Sequence, residues 1–216
     1  MGRTVVRFTV AVACALVAFA QPAVAASTPA LAAPGPADAG ATALLIGGDR
    51  IVINGRQCVI GFNAYSRSGR YIVTSSACAG SGNGAGAVPA PAGSTSTAFV
   101  GNGAGNPLYT VGGATPAPVG STVCMSGPVG GVRCGTVVAL NQTVNFGGQV
   151  IYGLTRTTVC AYPGETGAPF FTVVAGKAQA QGTLVGGTGV CGGGATSWFK
   201  PIGGVLSAYG LTLYTG

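Results

Sequence analysis

The chain has 216 residues, of which 48% are hydrophobic and only 6% are charged. Ten Lys or Arg stand against three Asp or Glu, and histidine is absent altogether. A positive mean hydropathy excludes a disordered chain, which would combine low hydrophobicity with high net charge. Forty glycines among recurrent Val, Ile and Leu runs fit one β-rich domain of ordinary size.

The first segment reads as an export signal. Arg3 and Arg7 precede an apolar run of 13 residues, Phe8 to Ala20, which is too short to span a bilayer. Ala23-Val24-Ala25 then supplies the small-x-small pattern of a signal peptidase site, with Ala26 as the new N-terminus. The organisation expected is a signal peptide over 1–25, an Ala/Pro-rich leader or linker over 26–44, and a folded domain over 45–216.

Cys14 leaves with the signal, and Cys58, Cys78, Cys124, Cys134, Cys160 and Cys191 remain. Six cysteines in an exported chain read as three disulfides, with fifteen pairings open. With no CxxC pair and no histidine, neither a metal site nor a cofactor is expected. Eight basic residues (Arg50, Arg56, Arg67, Arg70, Arg133, Arg156, Lys177, Lys200) against Asp38, Asp49 and Glu165 give the processed chain a net charge of +5. That balance suits a secreted monomer. It also allows association with an anionic cell wall. The cations are scattered without interleaved aromatics, so nucleic acid is not expected as a partner.

In chain order, strands are predicted at Arg50–Ile53, Cys58–Phe62, Arg70–Thr74, Gly135–Leu140, Gln149–Leu154, Phe170–Val174 and Gly182–Val185. Between Ala79 and Pro118 only Ala98–Val100 and Leu108–Val111 read as strands. One helix is predicted over Pro201–Ala208, with proline in its first turn. Short β-branched runs with Gly, Asn or Ser punctuation point to an all-β barrel or sandwich.

Several segments together carry a family resemblance. They are Ile46-Gly47-Gly48-Asp49, Cys58-Val59-Ile60-Gly61-Phe62-Asn63, Tyr71-Ile72-Val73-Thr74, the run from Val138 to Phe146, Tyr152-Gly153-Leu154 through Cys160, Phe199-Lys200-Pro201, and Leu206 to Gly210. They resemble the bacterial chymotrypsin-like serine endopeptidases of the streptogrisin and alpha-lytic type, over about Leu45 to Tyr214. The resemblance implies two packed antiparallel six-stranded barrels with a short C-terminal helix, and an active-site cleft between them. It implies the pairs Cys58–Cys78, Cys124–Cys134 and Cys160–Cys191. It also likens Ile46 to a mature N-terminus.

The same resemblance exposes substitutions in the chemistry. A triad enzyme needs a nucleophile, a base, an orienting acid and oxyanion donors. The family's Thr-Ala-x-His-Cys run is here Thr74-Ser75-Ser76-Ala77-Cys78, so Ala77 takes the histidine position. No acidic residue lies between Cys78 and Val119, where the acid is expected. The Gly-Asp-Ser-Gly-Gly-Pro motif is here Gly164-Glu165-Thr166-Gly167-Ala168-Pro169. In the alpha-lytic branch an arginine pairs with the loop's aspartate; Met125 stands at that position. Glu165 must then face solvent, or meet Arg133 or a main-chain group. If it is left unpaired, Met125→Arg would stabilise the fold.

The N–H groups of Gly164 and Thr166 are candidates for an oxyanion-like nest. Val185, Gly186 and Gly187 match the family strand that pairs with substrate, though these glycines also suit plain barrel turns. These residues lead to the expectation of a secreted, catalytically inactive homologue that binds extended peptides or a secreted protein through the old cleft. A hydrolase using an unrecognised base is the rival, and a charge-held cell-surface structural protein is the third reading.

Overall fold

The computed structural model describes residues 43–101 and 107–216, all within the unit Ala41–Gly216. The expected signal and nearly all of the leader lie outside the described residues.

The first half begins with β1 (Leu44–Gly47), β2 (Arg50–Ile53) and β3 (Arg56–Val59). Asn54 and Gly55 join β2 to β3 with φ of 50° and 76°, the two left-handed residues that a tight hairpin turn needs. There follow β4 (Phe62–Ser66), β5 (Gly69–Ser75), the single helical turn α1 (Ser76–Ala79), β6 (Ala85–Pro89), β7 (Thr95–Val100) and β8 (Tyr109–Gly113). The predicted strand Cys58–Phe62 is in fact two strands. The chain crosses over at Gly61, where a Cβ would lie 2.5 Å from the Val73 carbonyl.

The second half contains β9 (Thr122–Gly127), β10 (Gly131–Phe146), β11 (Gln149–Thr157), β12 (Pro169–Val174), β13 (Lys177–Val190) and β14 (Gly193–Pro201). The helix α2 (Ile202–Tyr209) and the short β15 (Thr212–Leu213) end the fold. In α2, Pro201 is the N-cap rather than a member of the first turn, and Gly210 closes the C-terminus in the left-handed conformation.

Six strands of the second half close into a ring in the order β13-β12-β9-β10-β11-β14 and back to β13. Met125 opposes Phe170 and Cys124 opposes Cys134 in this ring. Its interior is filled by Val123, Met125, Val137, Phe170, Leu184 and Phe199, all buried. The first half is joined differently. Its ladders are β15-β4-β5-β6, β2-β3 and β1-β7-β8, with β1–β7 and β8–β13 parallel. Backbone bonds from Gly61 N–H to Val73 O (3.0 Å) and from Ile60 N–H to Asp49 O (2.9 Å) link the pieces. The all-β, two-halved fold with a C-terminal helix is therefore as expected, with α1 and the parallel pairs as additions.

Three disulfides, Cys58–Cys78, Cys124–Cys134 and Cys160–Cys191, take the pairing implied by the resemblance. They fit an oxidising compartment outside the cytoplasm. Among the described residues no helix is long and apolar enough to cross a membrane.

Candidate functional site

The segment Pro163–Gly167 runs between β11 and β12 and is held from beneath by Glu165. This carboxylate has no exposed surface. Its Oε1 accepts the N–H of Val129 (3.2 Å) and of Gly130 (2.9 Å), and its Oε2 accepts the N–H of Tyr162 (2.8 Å) and Nη2 of Arg133. Arg133 also donates Nε to Cys160 O (3.0 Å) and lies over the Tyr162 ring, 5.0 Å from its centroid. A buried carboxylate with four donors is fully satisfied. The arginine missing at Met125 is thus replaced by Arg133, and the option of a solvent-facing Glu165 is ruled out.

Above this anchor the loop is open. Gly164 turns with φ of 85°, and Thr166 is exposed. Among the described residues, neither the N–H of Gly164 nor the N–H or hydroxyl of Thr166 has a hydrogen-bond partner. Gly167 N–H donates to Leu184 O (2.8 Å) and Leu184 N–H to Ala168 O (2.9 Å), which ties the loop to β13.

Beyond Leu184 the strand has one partner only. The β12 ladder stops at the pair Pro169–Thr183, while Gly186 and Gly187 pair with Trp198 and Ser197 of β14. The other edge of Val185–Gly187 carries no strand among the described residues. A cavity of about 290 Å³ opens beside it, lined by Ala161, Tyr162, Pro163, Thr166, Gly186 and Gly187 among others. A Cβ at Gly187 would sit 3.4 Å from Ala161 Cβ, so glycine there keeps the cavity clear. A Cβ at Gly186 would sit 2.7 Å from the Phe146 ring, which packs over the strand and edge-on to Trp198.

Position 77 lies in the first half of the fold. Ala77 is exposed on α1, which the Cys58–Cys78 bridge pins to β3. Arg56 Nη1 donates to Ala77 O (2.8 Å). The loop of Thr166 meets this half through Gly167, where a Cβ would lie 2.7 Å from Thr74 Oγ1 and 3.1 Å from Ser75 N. The two substituted positions, 77 and 166, are thus carried by segments in direct contact. Part of the region where the acid was sought, residues 102–106, lies outside the described residues.

Three side chains on the surrounding segments were given no role from the sequence. Arg56 and Phe146 are two of them. The third is Lys200, whose Nζ donates to Tyr152 O (2.8 Å) and Asn83 Oδ1 (3.2 Å). Burial holds its ammonium pKa below the ordinary value. Only Phe146 had a local signal, its place before the Gly147-Gly148 turn.

A β-rich two-halved fold with a cleft at a nucleophile-like turn defines the class of chymotrypsin-like proteins. No family model matches the chain. It is 32% identical over 179 residues to Glutamyl endopeptidase 2 of Streptomyces griseus, covering 73% of this chain and 93% of that protein. It is 45% identical over 114 residues to Streptogrisin-C of the same organism, covering 53% of this chain but only 24% of that protein. The structure of Thermobifida fusca Protease A superposes with a TM-score of 0.73 at 37% identity, covering 81% of this chain and 100% of that one. The chain belongs to the streptogrisin and alpha-lytic type of chymotrypsin-fold serine endopeptidases.

This membership corrects one expectation. The chain was expected not to be an enzyme, on the identities of residues 77 and 166 and the lack of histidine. The proteins it matches are named as proteases, and the site itself is neither collapsed nor capped: Thr166 is exposed at the mouth of an open cavity. Residue identities alone do not establish inactivity.

Proposed function

We propose that this chain is a secreted protein of the serine endopeptidase family whose cleft engages extended peptides by strand addition along Val185, Gly186 and Gly187. The observation that carries the reading is the unpaired edge of that strand beside an open cavity. A peptide on this edge gains main-chain hydrogen bonds, and one of its side chains enters the cavity. Among the described residues none that lines the cavity is charged, so an uncharged side chain is favoured there. The N–H groups of Gly164 and Thr166 are assigned as donors to a peptide carbonyl, since neither has a partner among the described residues.

Hydrolysis is the second reading, supported by family membership and the exposed Thr166 hydroxyl. Because the chain has no histidine, the proton acceptor in that case is another group or the bound peptide itself.

The test is fluorescence anisotropy with labelled, uncharged extended decapeptides, run beside an assay for peptide cleavage. Thr166→Arg fills the cavity mouth from an exposed position and Gly186→Pro disturbs the strand edge. Both are expected to weaken binding at least tenfold. Unchanged binding in both variants refutes strand addition. Cleavage that disappears in Thr166→Ala supports the second reading.

A further inference from the structure

A second cavity opens between the segment 114–117, the ring of the second half and the start of α2. Its volume is about 430 Å³, and it shares no lining residue with the cavity beside Thr166. That size falls within the range of small-molecule sites, roughly 300–1,000 Å³. Ala114, Ala117, Leu140, Ala180, Phe199 and Ile202 give it apolar walls. Gln181 also lines it, but its amide is engaged by Ala117 N–H (2.8 Å), Thr115 O (2.8 Å) and Gln179 O (3.1 Å). Among the described residues none that lines this cavity is charged.

Three polar groups in this apolar setting have no hydrogen-bond partner among the described residues. The first is the hydroxyl of Thr155, which stands opposite Phe199 in the β11–β14 ladder and so shares its face. Thr155 is only 4% exposed, yet its hydroxyl is not sealed off, and the residue lines the cavity. The other two are the N–H groups of Gly203 and Gly204. They begin α2, whose N-cap Pro201 supplies no side-chain acceptor and whose first turn holds no acidic residue. Both glycines line the cavity and are exposed, and a Cβ on either would meet nothing within 4 Å.

The local field favours an anion. The start of α2 carries partial positive charge. The Lys200 ammonium stands behind the wall at Gly153, where a Cβ would lie 3.8 Å from Nζ. A helix start at the surface can be left to water. A hydroxyl as deep as that of Thr155 costs free energy until an occupant of the cavity bonds to it.

We propose that this cavity binds a small monocarboxylate with an apolar body. The carboxylate accepts the N–H groups of Gly203 and Gly204 and the Thr155 hydroxyl, and the body packs on Phe199, Ile202 and Leu140. A cation would meet only donors and Lys200, and a second carboxylate would face apolar walls. The site stands apart from the Val185–Gly187 edge and does not depend on peptide binding there.

The test is amide NMR on the isotope-labelled secreted protein, titrated with 3-phenylpropanoate and, separately, with its neutral analogue 3-phenylpropanamide. The carboxylate is expected to move the Gly203 and Gly204 signals saturably, with a dissociation constant on the order of 1 mM or tighter. The amide is expected to bind weaker by about fivefold or more. Thr155→Val keeps the shape and removes the hydroxyl, and should weaken the carboxylate by about threefold or more. Gly203→Trp occupies the mouth from an exposed helical position that accepts a side chain, and should abolish binding. No saturable shift at Gly203 and Gly204, shifts centred on Thr166 and Gly186 instead, or equal affinity for carboxylate and amide overturns the proposal. So does unchanged binding in Gly203→Trp, the variant that remains informative if Thr155→Val does not fold.

Discussion

Replacing Arg133 with methionine isolates the anchor beneath the Thr166 loop. The variant leaves Glu165 buried with its three main-chain donors, Val129, Gly130 and Tyr162, but without its counter-charge. Breaking a buried pair on one side costs about 3–5 kcal/mol. Two features reduce that figure: the remaining N–H groups still stabilise the carboxylate, and the Arg133 side chain is 17% exposed, so water can enter its place. A loss of about 2–3 kcal/mol is expected, or a fall in thermal midpoint of roughly 5–10 °C for a domain of this size. Differential scanning calorimetry at pH 7, without reductant, measures it. Arg133→Met in a Glu165→Gln background supplies the double-mutant cycle, with an expected coupling above about 1 kcal/mol. A midpoint within about 2 °C of wild type, or strict additivity in the cycle, refutes the anchor.

Met125→Arg, which restores the family's arginine, is expected to destabilise rather than stabilise. Met125 is fully buried against Phe170 and Glu165 already has its partner, so the new guanidinium enters an apolar core at a cost of about 3 kcal/mol or more; a raised midpoint would contradict this. Asp49→Asn is expected to raise the midpoint at pH 7 by about a degree. Burial holds the Asp49 carboxyl pKa above its ordinary 3.8, so the folded state binds the proton more tightly and stability falls as pH rises through the window above 3.8. The gain from asparagine should vanish below that window, and a gain that persists in acid would exclude the mechanism.

The strands that were legible in sequence are those whose residues favour extended backbone by themselves. Arg50–Ile53 is β2 as expected, and Phe170–Val174 is β12 less one residue. Strand β6 was not legible because Ala-Gly-Ala-Val-Pro has no strand signal of its own. Its form comes from pairing with β5, where Ile72 opposes Val88 and Val73 opposes Ala87. Strands β9 and β14 were missed for the same reason, since their Cys, Ser, Gly and Thr content marks turns as readily as ladders. The loop over 163–170 and the strand at Val185–Gly187 were picked out through the family resemblance, since their glycines by themselves suit plain barrel turns equally well. Whether that strand's edge was free was not legible, because it depends on where the β12 ladder ends.

The partner of Glu165 shows most clearly what a sequence withholds. Positions 125 and 133 are eight residues apart along the chain, yet they face one another across the β9–β10 ladder. Moving an arginine from one to the other keeps the cation against the same carboxylate. Met125 now fills the barrel interior while Arg133 stacks on Tyr162 and reaches Cys160 O and Glu165 together. Along the chain, Met125 is the loss of a charge partner. Across the register, the ion pair has moved one strand over. The loop above it therefore keeps its support even though the residues it displays have changed, and an open site follows from that support rather than from the identity of residue 166.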